Sequence, residues 1–230
     1  MKMQRYRHEY KYPLSHGQIL IEDAKISTIA EIDSHAGEKG FYNIRSLYFD
    51  DYDNSCYMDN ENGTDNREKY RIRIYNCSAE VIKLELKRKY RGKTSKQSCS
   101  LSLSQCEKLM RGEVPCDIGK EQQVLQKLAY LMETRLMQPK VIVDYDRVPY
   151  VYRMEDANVR VTFDKNIKAI KDVNAFFDPD AGGRGILPVG HALMEVKFDD
   201  FLPDEVHCLL QLNGLSASTF SKYYLCRKFG

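Results

Sequence analysis

The 230-residue chain lacks any C-x-x-C pair, has no apolar run approaching the roughly 18 residues that a membrane span requires, and carries almost no net charge. Its seven cysteines, at 56, 77, 99, 106, 116, 208 and 226, are odd in number and scattered, which excludes a disulfide framework and a zinc site and fits a reducing compartment. The stretch from Met1 to Arg7 leads straight into a charged, strand-like segment, so the chain is expected to be cytoplasmic and untargeted. With 35 Lys and Arg against 33 Asp and Glu, the net charge of +2 excludes the uniformly basic profile of a DNA-coating protein. An anion bound here must find positive charge focused at one place.

Several catalytic templates are missing as well. Arg91-Gly92-Lys93-Thr94 ends like a Walker A loop, but position 87, where the first glycine belongs, is Lys. There is no G-x-S-x-G, and the five histidines have no metal-ligand spacing. The 16 tyrosines and nine phenylalanines come without an RNA-binding signature, so they read as structural and nucleic acid is not an expected partner.

What is present is a hydrophobic fraction of 43%, enough for a real core, and no linker or repeat, so residues 1–230 read as a single domain. Ser15 is placed to cap a helix running to about Asp33, and Val124, Leu125, Leu128, Leu131 and Met132 form the apolar stripe of a second helix over 121–137. A third helix is expected from Pro203 to Gly214, and a short last one from Ser216 towards Lys228. Asn62-Gly63 and Gly182-Gly183 are turn signals, and the glycine-rich segment Phe177–Gly190 is the expected mobile loop.

The remaining segments are strands with two contrasting faces, because successive side chains point to opposite sides. Ile72 and Ile74 oppose Arg71 and Arg73; Ile82, Leu84 and Leu86 oppose Lys83, Glu85 and Lys87. Val159, Val161 and Phe163 oppose Arg160, Thr162 and Asp164, while Met194, Val196 and Phe198 oppose Glu195, Lys197 and Asp199. Arg7, Glu9 and Lys11 share one face. An ordinary antiparallel sheet with a wet charged side would show the same alternation. The charged faces are nevertheless rich in cations with an interspersed carboxylate, and the amphipathic helices need an apolar surface to cover. An α+β fold satisfies both: a closed antiparallel β-barrel of about eight strands, helices packed outside and a charged lumen that serves as an anion site.

These segments resemble a known family. Arg7-His8-Glu9-Tyr10-Lys11-Tyr12, Ser46-Leu47-Tyr48-Phe49-Asp50, Tyr70-Arg71-Ile72-Arg73-Ile74-Tyr75 and Leu84-Glu85-Leu86-Lys87 come in order, followed by Tyr145-Asp146-Arg147, Val159-Arg160-Val161-Thr162-Phe163-Asp164, Met194-Glu195-Val196-Lys197 and Phe220-Ser221-Lys222-Tyr223. Each is weak alone, but together and in this order they resemble the VTC (vacuolar transporter chaperone) polyphosphate polymerase domain, within the triphosphate tunnel metalloenzymes. The resemblance implies a β-tunnel in which the γ-phosphate of ATP is transferred to inorganic polyphosphate with Mn²⁺ or Mg²⁺ as cofactor. It implies phosphate contacts from Lys11, Arg71, Arg73, Lys87, Arg147, Arg160 and Lys222, with Lys96 or Lys93 less securely matched, and a metal ligand in Glu195. Lys197 should face the same lumen. Arg71, Arg73, Lys87, Arg160 and Glu195 are the expected catalytic group.

The triphosphatase branch (CYTH proteins) opens with E-x-E-x-K, whereas this chain has Arg7-x-Glu9-x-Lys11. A cation in place of the first carboxylate favours gripping a polyanion, although Glu9 and Glu85 could still build a metal site. The eukaryotic polymerase works with a phosphate-sensing SPX domain and transmembrane helices, so coupling to translocation here would need a separate membrane partner. A tunnel-fold triphosphatase or nucleotide phosphohydrolase, and a non-catalytic polyanion-binding module, stay open as alternatives. A tunnel open at both ends would favour elongation, and a blocked end a small substrate.

Overall fold

The structure, a computed structural model, describes residues 7–154 and 158–230; the expected entry of Met1–Tyr6 into a strand lies outside the described residues. Ten strands form one antiparallel sheet: β1 (His8–Leu14), β2 (Glu31–Ile32), β3 (Tyr42–Asp50), β4 (Arg67–Tyr75), β5 (Ser78–Tyr90), β6 (Lys93–Ser100), β7 (Gln138–Arg153), β8 (Asn158–Ile170), β9 (Arg184–Gly185) and β10 (Ala192–Phe198). Their order is β1-β10-β8-β7-β3-β4-β5-β6, with β2 on β7 and β9 on β8. Six helices accompany them: α1 (His16–Ile26), α2 (Ser55–Glu61), α3 (Leu103–Met110), α4 (Gln123–Arg135), α5 (Asp204–Leu209) and α6 (Lys222–Phe229).

The eight main strands of the sheet curl into a half-barrel with β1 and β6 at its edges. Among the described residues, the edges meet only where Arg7 and Thr94 exchange backbone hydrogen bonds of 3.0 and 3.3 Å. Two hairpins set the register of the basic strands. Asn76-Cys77 and Arg91-Gly92 all have positive φ, the backbone of a tight two-residue turn whose twist matches its strands. The Walker-like tetrapeptide is therefore the β5–β6 turn and the start of β6.

The alternation sorts as expected on the outer face. Ile72, Ile74, Ile82, Leu84 and Leu86 pack under α3 and α4, against Leu109, Leu125 and Leu128. Val159, Val161, Phe163, Met194, Val196 and Phe198 pack under α1 and α5, against Ile19, Ile26, Val206 and Leu210. The inner face is less uniform. Near α6 it is apolar: Ile44, Val143, Tyr145, Ile167, Ala169 and Leu193 form a third core with Tyr223 and Cys226 of that helix. A break in β7–β8 register at Asp144/Asp146, with Asn166 at φ 53°, turns Ile167 and Ala169 inward.

Several boundaries differ from expectation. Ser15 starts α1 through a capping box with Gln18, but the helix stops at Ile26, where the Ser27 and Thr28 hydroxyls take the Ala24 and Lys25 carbonyls; the chain then enters β2. The third expected helix ends at Leu209 and is followed by a separate 3₁₀ turn, and the last begins at Lys222 behind the Ser221 cap. Short helices α2 and α3 had no expected counterpart; Asn62-Gly63 closes α2 instead of joining two strands. The segment taken for a mobile loop contains β9, and Ala181 within it is buried in the core.

Candidate functional site

The polar side of the inner face surrounds one cavity of about 1320 Å³. Lys11, Arg71, Arg73, Lys87, Lys96, Arg147, Arg160, Glu195, Lys197 and Lys222 all line it, delivered by β1, β4, β5, β6, β7, β8, β10 and α6. Of the two β6 lysines, Lys96 lines the cavity and Lys93 does not. The strand period explains the convergence: residues two apart share a face, and antiparallel pairing sets Lys11 beside Glu195, Lys197 beside Arg160, and Asp164 beside Arg147.

In and behind the cavity wall, cations are distributed around four carboxylates, of which Glu9 and Glu195 line the cavity. Glu195 accepts from Lys197 Nζ at 2.5 Å, Lys222 Nζ at 2.8 Å and Arg147 Nη2 at 3.1 Å, with Lys11 Nζ 4.0 Å away. Behind it, Asp164 takes a bidentate contact from Arg147 at 2.6 and 2.7 Å and Lys222 Nζ at 2.5 Å. Glu85 meets Arg71 Nη2 at 2.7 Å, Lys96 Nζ at 3.0 Å and Arg73 Nε at 3.9 Å. Glu9 meets Lys87 at 2.7 Å and Lys197 at 3.5 Å. Arg160 meets Asp33 at 2.9 Å and donates to the Tyr42 hydroxyl at 3.0 Å.

Burial would raise the carboxyls, yet the surrounding cations outweigh it. Glu195 is held well below the usual carboxylate range by Lys197, Lys222, Arg147 and Lys11, and Glu85 by Arg71, Arg73 and Lys96. Burial pushes the Lys87 ammonium down to about 8 despite the attraction of Glu9. A mesh of this kind is costly to desolvate and contributes little to stability for its size. It does supply fixed cations whose partners an incoming phosphate can replace.

A divalent ion needs oxygen ligands. Among the described residues no group of three or more His, Cys, Asp or Glu side chains could hold one, and Glu9 and Glu85 face separate sets of cations instead of a shared ion. Glu9 and Glu195 both line the cavity and both are already paired with cations, so a metal there would take most of its ligands from substrate oxygens and water. Glu195 is 5% exposed in its side chain and faces the cavity.

Four contributors were not legible as functional residues. Asp164 was read only as part of a polar face, although its bidentate grip orients Arg147. Tyr48 and Tyr145 present hydroxyls to Arg71 at 2.9 Å and Arg73 at 3.4 Å. Lys69 also lines the cavity, and its position two residues before Arg71 was the available signal. The α6 segment bounds the cavity: Lys222 begins the helix inside it, while Tyr223 binds Asp50 and anchors the helix to the inner wall.

A family model described as the VTC domain matches residues 6–229. Among curated proteins, none matches the sequence. The fold is shared with a candidate adenylate cyclase from Bacillus halodurans at TM-score 0.53 and 14% identity, covering 95% of each chain. It is also shared with a candidate adenylyl cyclase from Hippeastrum, described as having dominant triphosphatase activity, at TM-score 0.50 and 14% identity over 97% of this chain and 95% of that one.

Proposed function

Since the chain belongs to the VTC domain family of the triphosphate tunnel proteins, we propose that it is a polyphosphate polymerase that transfers the γ-phosphate of ATP to an inorganic polyphosphate chain in the charged cavity. The observation that carries this reading is the convergence of cations from seven strands and α6 on one cavity around the buried carboxylate of Glu195. Phosphoryl transfer asks chiefly for alignment and charge neutralisation, which arginine forks and lysine ammoniums supply.

In the proposed reaction a terminal oxygen of polyphosphate attacks the γ-phosphorus, the bond from that phosphorus to its bridging oxygen breaks, and ADP leaves with the bond's electron pair. Arg71 and Arg73, braced by Tyr48, Tyr145 and Glu85, hold the reacting phosphates in line. Lys87, Lys11, Lys197 and Lys222 neutralise the chain, and Arg147 stays fixed by Asp164 while phosphate oxygens compete for its other contacts. Arg160 and Lys96, more exposed than the rest, would grip the chain nearer solvent. Mn²⁺ or Mg²⁺ would be held at Glu195 and would neutralise phosphate oxygens there.

The domain acting in this way is residues 1–230, supported by the single sheet. No described helix is long and apolar enough to cross a membrane. Cytoplasmic operation, with any membrane partner supplied separately, is part of the proposal. Hydrolysis of a short phosphate chain is the second reading, favoured by α6, which fills one part of the inner face and shortens the space available to a polymer.

The test is incubation of purified protein with γ-labelled ATP and Mn²⁺, beside Glu195→Ala, with products resolved by gel. A ladder of phosphate polymers, lost in the variant, is the expected result. Labelled monophosphate alone would replace polymerisation with hydrolysis, and no turnover with retained polyphosphate binding would leave a binding module.

A further inference from the structure

Cross-strand pairing on the inner face creates a row of three lysines. Lys69 stands opposite Lys87, and Lys87 opposite Lys96, on adjacent strands β4, β5 and β6. Like charges directly opposite one another destabilise a sheet unless something intervenes. For two of the three, a carboxylate does: Glu9 lies 2.7 Å from Lys87 and Glu85 lies 3.0 Å from Lys96. Lys69 has none. Among the described residues it makes no ion pair; its ammonium donates to the neutral acceptors Asn60 Oδ1 at 2.8 Å and Ser221 Oγ at 3.0 Å, and lies 5.3 Å from the centre of the Tyr223 ring. It nevertheless lines the cavity.

We propose that Lys69 is an anion-binding residue of this cavity, the place where a phosphate chain is gripped without first displacing a carboxylate. The inference rests on the reading that the cavity takes a phosphate chain. At Glu85, Glu9 and Glu195, each phosphate contact replaces an ion pair already made, so the net gain is the difference between two charge-assisted bonds. At Lys69 nothing of that kind is lost, and the anion also relieves repulsion from Lys87. Burial, with Arg67, Lys11 and Lys87 nearby, holds the Lys69 ammonium well below its usual range, as expected of a cation awaiting a counter-ion. The competing role is a tether: through Asn60 and Ser221, Lys69 links α2 and α6 to β4.

Asn60→Asp separates the two roles, because a carboxylate there would strengthen a tether but compete with a phosphate. Calorimetric titration of the full chain with inorganic tripolyphosphate is expected to show binding by the wild type. Affinity should fall at least tenfold in Lys69→Met and in Asn60→Asp, with both variants folded. Lys96→Met should cost threefold or less. Wild-type affinity in folded Lys69→Met, or in Asn60→Asp, would overturn the role of Lys69 while leaving the cavity's function standing. Failure of the wild type to bind tripolyphosphate would overturn both.

Discussion

The inner face of this sheet has two regions that share some strands and are built by opposite chemistry. In one, β4, β5, β8 and β10 present Arg71, Arg73, Lys87, Arg160, Glu195 and Lys197 to a cavity. In the other, β3, β7, β8 and β10 present Ile44, Val143, Ile167, Ala169 and Leu193 to α6. β8 and β10 contribute to both. The apolar region gains stability from burial, whereas the charged region forgoes it and is held in shape by ion pairs of small net worth. The buried, apolar part of the face thus backs the part that opens on the cavity. Asp164 lies at the junction, fully buried and binding Arg147 and Lys222.

The largest expected effect would break the apolar side. Val143 is fully buried, and Val143→Asp would place an unpaired carboxylate beneath α6, costing about 4 kcal/mol or more. Urea unfolding measures that loss; a midpoint equal to the wild type's would mean that α6 does not seal this face.

On the charged side the pattern should reverse. Arg73→Ala removes a cation but leaves Glu85 its contacts with Arg71 and Lys96, so stability should change little. Turnover should drop by about 100-fold or more, the scale of losing one preorganised charge donor. Retained turnover in the folded variant would remove Arg73 from the reacting geometry.

The smallest effect is a pH dependence. Lys87 has its ammonium pushed down to about 8 from an ordinary 10.5, so between those values the unfolded chain holds more protons than the folded one. Lys87 therefore adds stability as pH rises through that window and none below it. An anion favours the protonated form, so tripolyphosphate affinity should weaken as pH rises through about 8. Lys87→Arg, charged throughout, should flatten the profile; an equal slope in both proteins would place the titration elsewhere.

Much of this was readable in the chain. The split of Ile72 and Ile74 from Arg71 and Arg73 is local, because a strand's two-residue period fixes which neighbours share a face. The basic wall follows from it. The apolar inner region left a weaker trace: the run Val141-Ile142-Val143, apolar at every position, marks a strand buried on both sides and fits no model in which the whole inner face is charged. Helices α2 and α3, of seven and eight residues, are too short for a strong periodic signal.

By itself, then, the sequence determined the antiparallel α+β character, the two-faced strands and the identities of the cations, since these depend on residue type and near-neighbour spacing. Only the tertiary structure decided which carboxylate each cation meets, that Lys69 meets none among the described residues, that the described edges join at a single bridge, and that α6 occupies the inner face. These contacts join residues as distant in sequence as Lys11 and Phe220, whose side chain and backbone are 2.9 Å apart. Such pairings are set by strand register, bulges and chain closure, which no local pattern encodes.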